Sequence, residues 1–109
     1  MTQLTTMAQV EEFIKNNLFS FLYISRSNCG VCHALLPQVK EVLKSFPKIQ
    51  LGYINADDLE EVAGRFLILT VPALLFFVDG REYIREARFV HVQSFKEKIS
   101  TIYSMVEDE

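Results

Sequence analysis

The chain has 109 residues, half of them hydrophobic, with nine Phe, no Trp and a formal net charge of −3. That length suits one domain over residues 1–109, with enough apolar content for a core that needs no staples. The acidic balance leaves no electrostatic footprint for nucleic acid, no apolar run approaches the roughly 18 residues of a membrane span, and Met1 to Glu12 lacks the basic and apolar regions of a signal peptide, so a reducing, cytoplasmic setting and a monomer are expected.

In chain order, Thr6-Met7-Ala8-Gln9 has the spacing of a capping box. Val10, Phe13 and Ile14 follow at helical spacing, and the helix is predicted to end at Asn16-Asn17. Leu18 to Ile24 is almost continuously apolar, as in a strand covered on both faces. A short polar loop, Ser25 to Asn28, leads to Cys29-Gly30-Val31-Cys32. Leu35, Val39, Val42, Leu43 and Phe46 mark the inward stripe of a second helix, with Pro37 inside it as an expected kink. Ile49 to Ile54 reads as a strand. Asp58, with Glu61 three residues on, is placed to cap a third helix carrying Leu59, Val62, Ala63 and Phe66.

Leu67 to Val71 is an apolar linker that runs into Pro72. Ala73 to Val78 reads as a strand, and Asp79-Gly80 as a hairpin turn. Arg81 to Phe89 alternates poorly, yet it can pair as an antiparallel edge whose arginines guard it. Val92, Phe95, Ile99, Ile102, Tyr103 and Val106 form the stripe of a last helix. Glu107-Asp108-Glu109 is expected to fray. This order implies an α/β fold with a central mixed sheet of four to five strands and helices on both faces.

The two cysteines are the only ones in the chain. They fall between an apolar strand and a helix N-terminus. Unpaired N–H groups and the partial positive charge at that end favour the thiolate, and the spacing lets the second sulfur reach the first. An inert pair of core thiols is the structural alternative.

Three features beyond CxxC extend the pattern. Pro37 stands eight residues after Cys29, Thr70-Val71-Pro72 lies some 43 residues after it, and Ala73 to Gly80 supplies the strand and turn that follow. With these, the chain resembles the thioredoxin family over nearly its whole length. The resemblance implies the thioredoxin fold and a thiol–disulfide oxidoreductase that reduces protein disulfides. Cys29 is then the exposed nucleophile and Cys32 the buried resolving thiol. Pro72 takes a cis bond after Val71, whose backbone is left free for an extended substrate segment. Asn28, Gly30 and Val31 belong to the substrate groove and active-site surround. No cofactor beyond the redox-active Cys29–Cys32 disulfide is implied. The implied partners are disulfide-containing proteins and an electron donor such as a thioredoxin reductase or a low-molecular-weight thiol.

Departures from the family pattern are as informative. Asn28 stands where the family has Trp. Tyr23 aligns with its buried acid, Tyr53 with the accompanying lysine, and Arg88 roughly with a glycine lining the substrate groove. A tyrosine near its reference pKa of about 10 is a poor base at neutral pH, so a slower resolving step is expected. Satisfied core packing is the plain role for both tyrosines. Arg26 and His33 are candidates for tuning Cys29, each by a positive charge near its sulfur. The plain alternatives are an Arg26 that points into water and a solvent-facing His33.

Three other readings compete. Cys29 to His33 spells CxxCH, the attachment signature of c-type haem, but the flanking strand–helix context argues against it. A zinc site needs four ligands; beyond Cys29, Cys32 and His33 only His91 remains, and no metal is expected. The departures at Tyr23, Asn28 and Arg88 leave room for a thioredoxin-fold binding or redox-regulatory module with weak or vestigial activity.

Overall fold

In a computed structural model, residues 1–107 are described. The elements are β1 (Thr2–Gln3), α1 (Met7–Asn16), β2 (Phe19–Ser25), α2 (Gly30–Leu43), β3 (Gln50–Asn55), α3 (Glu61–Phe66), β4 (Ala73–Val78), β5 (Arg81–Ala87) and α4 (Val92–Glu107). The sheet runs β1-β3-β2-β4-β5. β3 is parallel to β1 and β2, while β4 is antiparallel to β2 and to β5.

β2 is buried along its whole length, and its side chains alternate between two cores. Phe19, Phe21 and Tyr23 join Leu74, Phe76 and Val78 under α2 and α4. Leu22 and Ile24 join Ala73, Leu75 and Phe77 with α1 and α3 on the opposite face. The near-continuous apolar runs of β2 and β4 therefore follow from burial on both sides. Gly52 fits the same logic: a Cβ there would come within 2.6 Å of Leu4 Cδ1, so a side chain at that point of β3 would push Leu4 out of the core.

The predicted ends shift slightly. Thr6 caps α1 by accepting from the Gln9 N–H at 3.1 Å, but the Gln9 side chain returns to the N–H of Thr5, not of Thr6. α2 runs through Pro37 as one helix and stops before Phe46, which is nonetheless buried. α3 begins later than expected, at Glu61. Its cap residue, Glu60, makes no side-chain hydrogen bond, so Asp58 is not the cap. The Leu59 apolar contact precedes the helix, in a turn where the Asp58 and Leu59 N–H groups both donate to the Asn55 carbonyl. Glu107 does not fray: it closes α4 and pairs with Lys48 at 3.4 Å. The expected fraying of Asp108 and Glu109 lies outside the described residues.

Candidate active site

β2 ends at Ser25, and four residues carry the chain to α2. Asp57, just beyond the end of β3, holds this loop. Its carboxylate accepts from the Ser27 N–H at 2.8 Å and from Arg26 Nη1 at 2.7 Å. Asn55 Nδ2 donates to Ser27 Oγ at 3.0 Å, while Asn55 Oδ1 accepts from the Asp57 N–H. The Ser27 N–H, followed by the Arg26 guanidinium, draws Asp57 below the usual carboxylate range. Sequence reasoning missed both Asn55 and Asp57. The available signal was an Asn-x-Asp cluster directly after a strand, the residue types that fold side chain onto local backbone.

This anchoring delivers Cys29 to the cap position of α2. Its Sγ accepts from the Cys32 N–H at 3.1 Å, and its sulfur is bonded to Cys32 across a Cα–Cα separation of 5.2 Å. The two cysteines differ in environment. Cys29 is partly exposed, whereas Cys32 has 0% exposure and belongs to the core between β2 and α2. Asn28 and Gly30 are exposed beside Cys29, and Val31 is 62% exposed. One thiol thus faces solvent across an open surface, and its partner stays behind it.

Arg26 does not serve as a free cation for Cys29. Its guanidinium is spent on Asp57, and the neighbouring carboxylate balances its charge at the loop. His33, in the first turn of α2, places Nε2 3.0 Å from the Ser27 carbonyl. A carbonyl only accepts, so Nε2 carries the proton and the bond ties helix to loop.

Tyr23 lies under the pair. Fully buried, it donates its hydroxyl to the Cys32 carbonyl at 2.5 Å and stacks near Tyr53 with ring centroids 6.2 Å apart. Burial, then the nearby Tyr53, pushes its phenol above the ordinary tyrosine range. At neutral pH Tyr23 is therefore a neutral donor fixed on the backbone of the resolving cysteine.

On the other side, the Val71–Pro72 peptide bond is cis. Pro72 is buried, and Val71 packs against both cores, including the one containing Cys32. No backbone hydrogen bond engages the N–H or C=O of Leu69, Thr70 or Val71 among the described residues. Arg88 turns back onto this loop, its N–H donating to the Pro72 carbonyl at 2.9 Å. Also among the described residues, no cluster of three His, Cys, Asp or Glu side chains is placed to hold a metal ion, and no helix is long and apolar enough to cross a membrane.

The sequence model of the Thioredoxin family matches residues 2–102. The chain belongs to the thioredoxin family. It is 55% identical over 109 residues to the thioredoxin-like protein YdfQ of Bacillus subtilis (strain 168), covering 100% of this chain and 97% of that one. A thioredoxin of Chlamydia pneumoniae is 26% identical over 85 residues, covering 78% of this chain and 82% of its own. Among solved structures, Fasciola hepatica thioredoxin superposes with a TM-score of 0.82 at 25% identity, over 93% of this chain and 98% of that one. Oxidised thioredoxin O2 from Arabidopsis thaliana shares the fold, with a TM-score of 0.83 at 22% identity over 94% and 93% of the two chains. Family membership and a cysteine pair that closes into a disulfide make this thioredoxin-family protein a thiol–disulfide oxidoreductase.

Proposed function

We propose that the protein reduces disulfides in other proteins, with Cys29 as nucleophile and Cys32 as resolving thiol. The observation that carries this reading is the unequal exposure of two bonded sulfurs at a helix N-terminus. In the reduced protein, the Cys32 N–H and the helix end favour the Cys29 thiolate. That thiolate attacks one sulfur of the substrate disulfide, forms a mixed disulfide and expels the other sulfur as a thiolate. The Cys32 thiol then loses its proton and attacks Cys29 Sγ. This step releases the second substrate thiol and closes the Cys29–Cys32 disulfide. Two electrons pass to the substrate, and an external donor, a thioredoxin reductase or a low-molecular-weight thiol, returns them.

Tyr23 does not take the Cys32 proton, because a buried phenol that is already donating has no basic site at neutral pH. Solvent takes it in the resolving step, so the mixed disulfide is long-lived. The free backbone of Val71 offers an extended substrate its pairing edge, and Asn28, Gly30 and Val31 form the floor next to the reacting sulfur. The chain acts as a cytoplasmic monomer and uses no cofactor other than its own disulfide. Insulin-disulfide reduction with dithiothreitol tests the proposal. The wild type accelerates precipitation and Cys29→Ser falls to the dithiothreitol-only background; equal turnover by both proteins overturns it.

A further inference from the structure

Ser27 stands two residues before Cys29, and its N–H, its Oγ and its carbonyl are each taken by a different residue. The N–H donates to Asp57 Oδ2 at 2.8 Å, Oγ accepts from Asn55 Nδ2 at 3.0 Å, and the carbonyl accepts from His33 Nε2 at 3.0 Å. The partners come from separate places in the chain: Asn55 ends β3, Asp57 follows it, and His33 lies in α2. Arg26, Ser27 and Asn28 are all exposed, so burial does not fix this stretch and hydrogen bonds are left to do it. An exposed serine can satisfy the same groups with water at little cost. A full set of protein partners therefore constrains the loop beyond what satisfaction requires.

The backbone carries that constraint to the reacting sulfur. The Cys29 N–H donates to the Arg26 carbonyl at 3.3 Å, so Ser27 and Asn28 are the two central residues of a turn that closes on Cys29. A fixed Ser27 fixes the turn, and the turn sets how Cys29 meets the cap of α2. In the disulfide form the bond to Cys32 holds Cys29 Sγ as well. In the dithiol form that bond is gone. The tie left to the sulfur is the Cys32 N–H, 3.1 Å away in the disulfide form, and the turn decides whether the thiolate stays within its reach.

We propose that Ser27 is a positioning residue of the redox reaction: gripped by Asp57, Asn55 and His33, it keeps the Cys29 thiolate at the N-terminus of α2 while the disulfide is open. The proposal rests on the reading of Cys29 as nucleophile. His33 acts here as a hydrogen-bond donor and not as a charge near the sulfur. Nε2 carries a proton in the neutral ring bonded to Ser27 and in the charged ring alike, so the grip holds on both sides of the imidazole titration. Glutamine offers an N–H at similar reach without the charge, which separates the two roles. Asp57 is a poor probe of the grip, because it also balances Arg26 and its loss changes the charge at the loop.

The test follows alkylation of Cys29 by iodoacetamide in the reduced protein from about pH 5 to about pH 9, with peptide mass spectrometry assigning the labelled cysteine. Below the titration of the thiol the rate follows the thiolate fraction. A sulfur that leaves the helix end reacts more slowly there, and the gap closes once the thiol is ionised in both proteins. His33→Ala is expected to slow the reaction about two- to fivefold at pH 6, the size of one interaction with a helix end. His33→Gln restores the wild-type rate. Ser27→Ala, which loses only the Asn55 bond, is slowed by a smaller factor, about twofold. Both side chains are exposed, so the variants fold. A wild-type rate in either alanine variant overturns the proposal and leaves Cys29 as the nucleophile. A His33→Gln protein as slow as His33→Ala overturns it too, because the imidazole charge would then be what tunes the sulfur. Slowing that persists unchanged at high pH also overturns it, since that reports access and not the thiolate. Preferential labelling of Cys32 in the wild type refutes the nucleophile reading itself, and the positioning role falls with it.

Discussion

The loop that carries Cys29 and the loop that carries the cis-Pro are built in opposite ways. On the α2 side nearly every polar group is engaged. Asp57 and Asn55 hold the loop, His33 ties it to the helix, and Tyr23 is fixed on the Cys32 carbonyl. On the side of the cis-Pro loop, three large apolar side chains face solvent, two non-glycine residues are left-handed and, among the described residues, Leu69 to Val71 make no backbone–backbone hydrogen bond. The first surface fixes two sulfurs to within bonding distance. The second leaves apolar side chains and backbone open to solvent, as loops on a rigid scaffold commonly do.

The largest effect that sharpens this contrast belongs to Tyr23. Tyr23→Asp puts a carboxylate at a position with no exposure, beside Tyr53 and with no cation acting on it among the described residues, which is expected to cost about 3–5 kcal/mol in urea unfolding. The same variant is expected to speed resolution of the mixed disulfide in stopped-flow traces by supplying a base. Tyr23→Phe removes only the hydroxyl and is expected to cost about 1 kcal/mol. It also reports on pH. The folded phenol titrates above its unfolded value, so its contribution is complete below about pH 10 and is lost as pH rises beyond that. Tyr103 is raised as well and stays in both proteins, so wild type shows a steeper alkaline loss of stability than Tyr23→Phe. A variant that tracks wild type at every pH would mean the hydroxyl is not part of the fixed surface.

Leu67→Gly probes the opposite surface, and its expected sign is reversed. Relief of the left-handed backbone is worth about 1–2 kcal/mol, and the looser unfolded chain takes back about 0.4–1 kcal/mol. A net gain of roughly 0.5–1 kcal/mol follows, whereas Leu67→Ala keeps the strain and gains nothing. Loss of stability in the glycine variant would show that Leu67, the left-handed C-cap of α3, is not held in a disfavoured shape.

The legibility of the sequence divides along the same line. β2 and β4 were readable because burial on both faces leaves an unbroken apolar run, and the α2 and α4 stripes because one face of each helix is dry. Cys29 and Pro72 were readable because few residue types perform their chemistry. β1 gave no signal: two exposed residues carry no pattern, and their pairing is backbone alone. β5 alternated poorly for a physical reason. Its register slips opposite Phe76 and Phe77, skipping Tyr83, so the period of two is interrupted. The exposed apolar residues Leu67, Leu69 and Phe89 come from the linker after α3 and from the turn after β5, so nothing local in the sequence announces that they are solvent-facing. Asp57 is not legible locally: the capping pattern falls on Asp58, while the partners of Asp57, Arg26 and Ser27, lie some thirty residues earlier in the chain.

That anchor is where the smallest effect lies. Asp57 titrates below the ordinary carboxylate range because the Ser27 N–H and the Arg26 guanidinium bind its charged form. A depressed pKa means that its contribution to stability is present above the unfolded carboxylate range. It is lost as pH falls through the folded value. Asp57→Asn keeps one acceptor oxygen for Ser27 but has no charge for Arg26, so the wild-type advantage is expected to be present at neutral pH and to disappear on acidification. Both partners are exposed, so added salt narrows the difference further. The informative readout is Cys29 itself. With Asp57 gone, the Arg26 charge is no longer balanced and the loop before Cys29 loses its tie, so alkylation of Cys29 in the reduced protein becomes faster at pH 6. An unchanged alkylation rate would mean that the His33 and Asn55 bonds hold the loop alone, and that the fixed surface around the sulfur does not depend on charge.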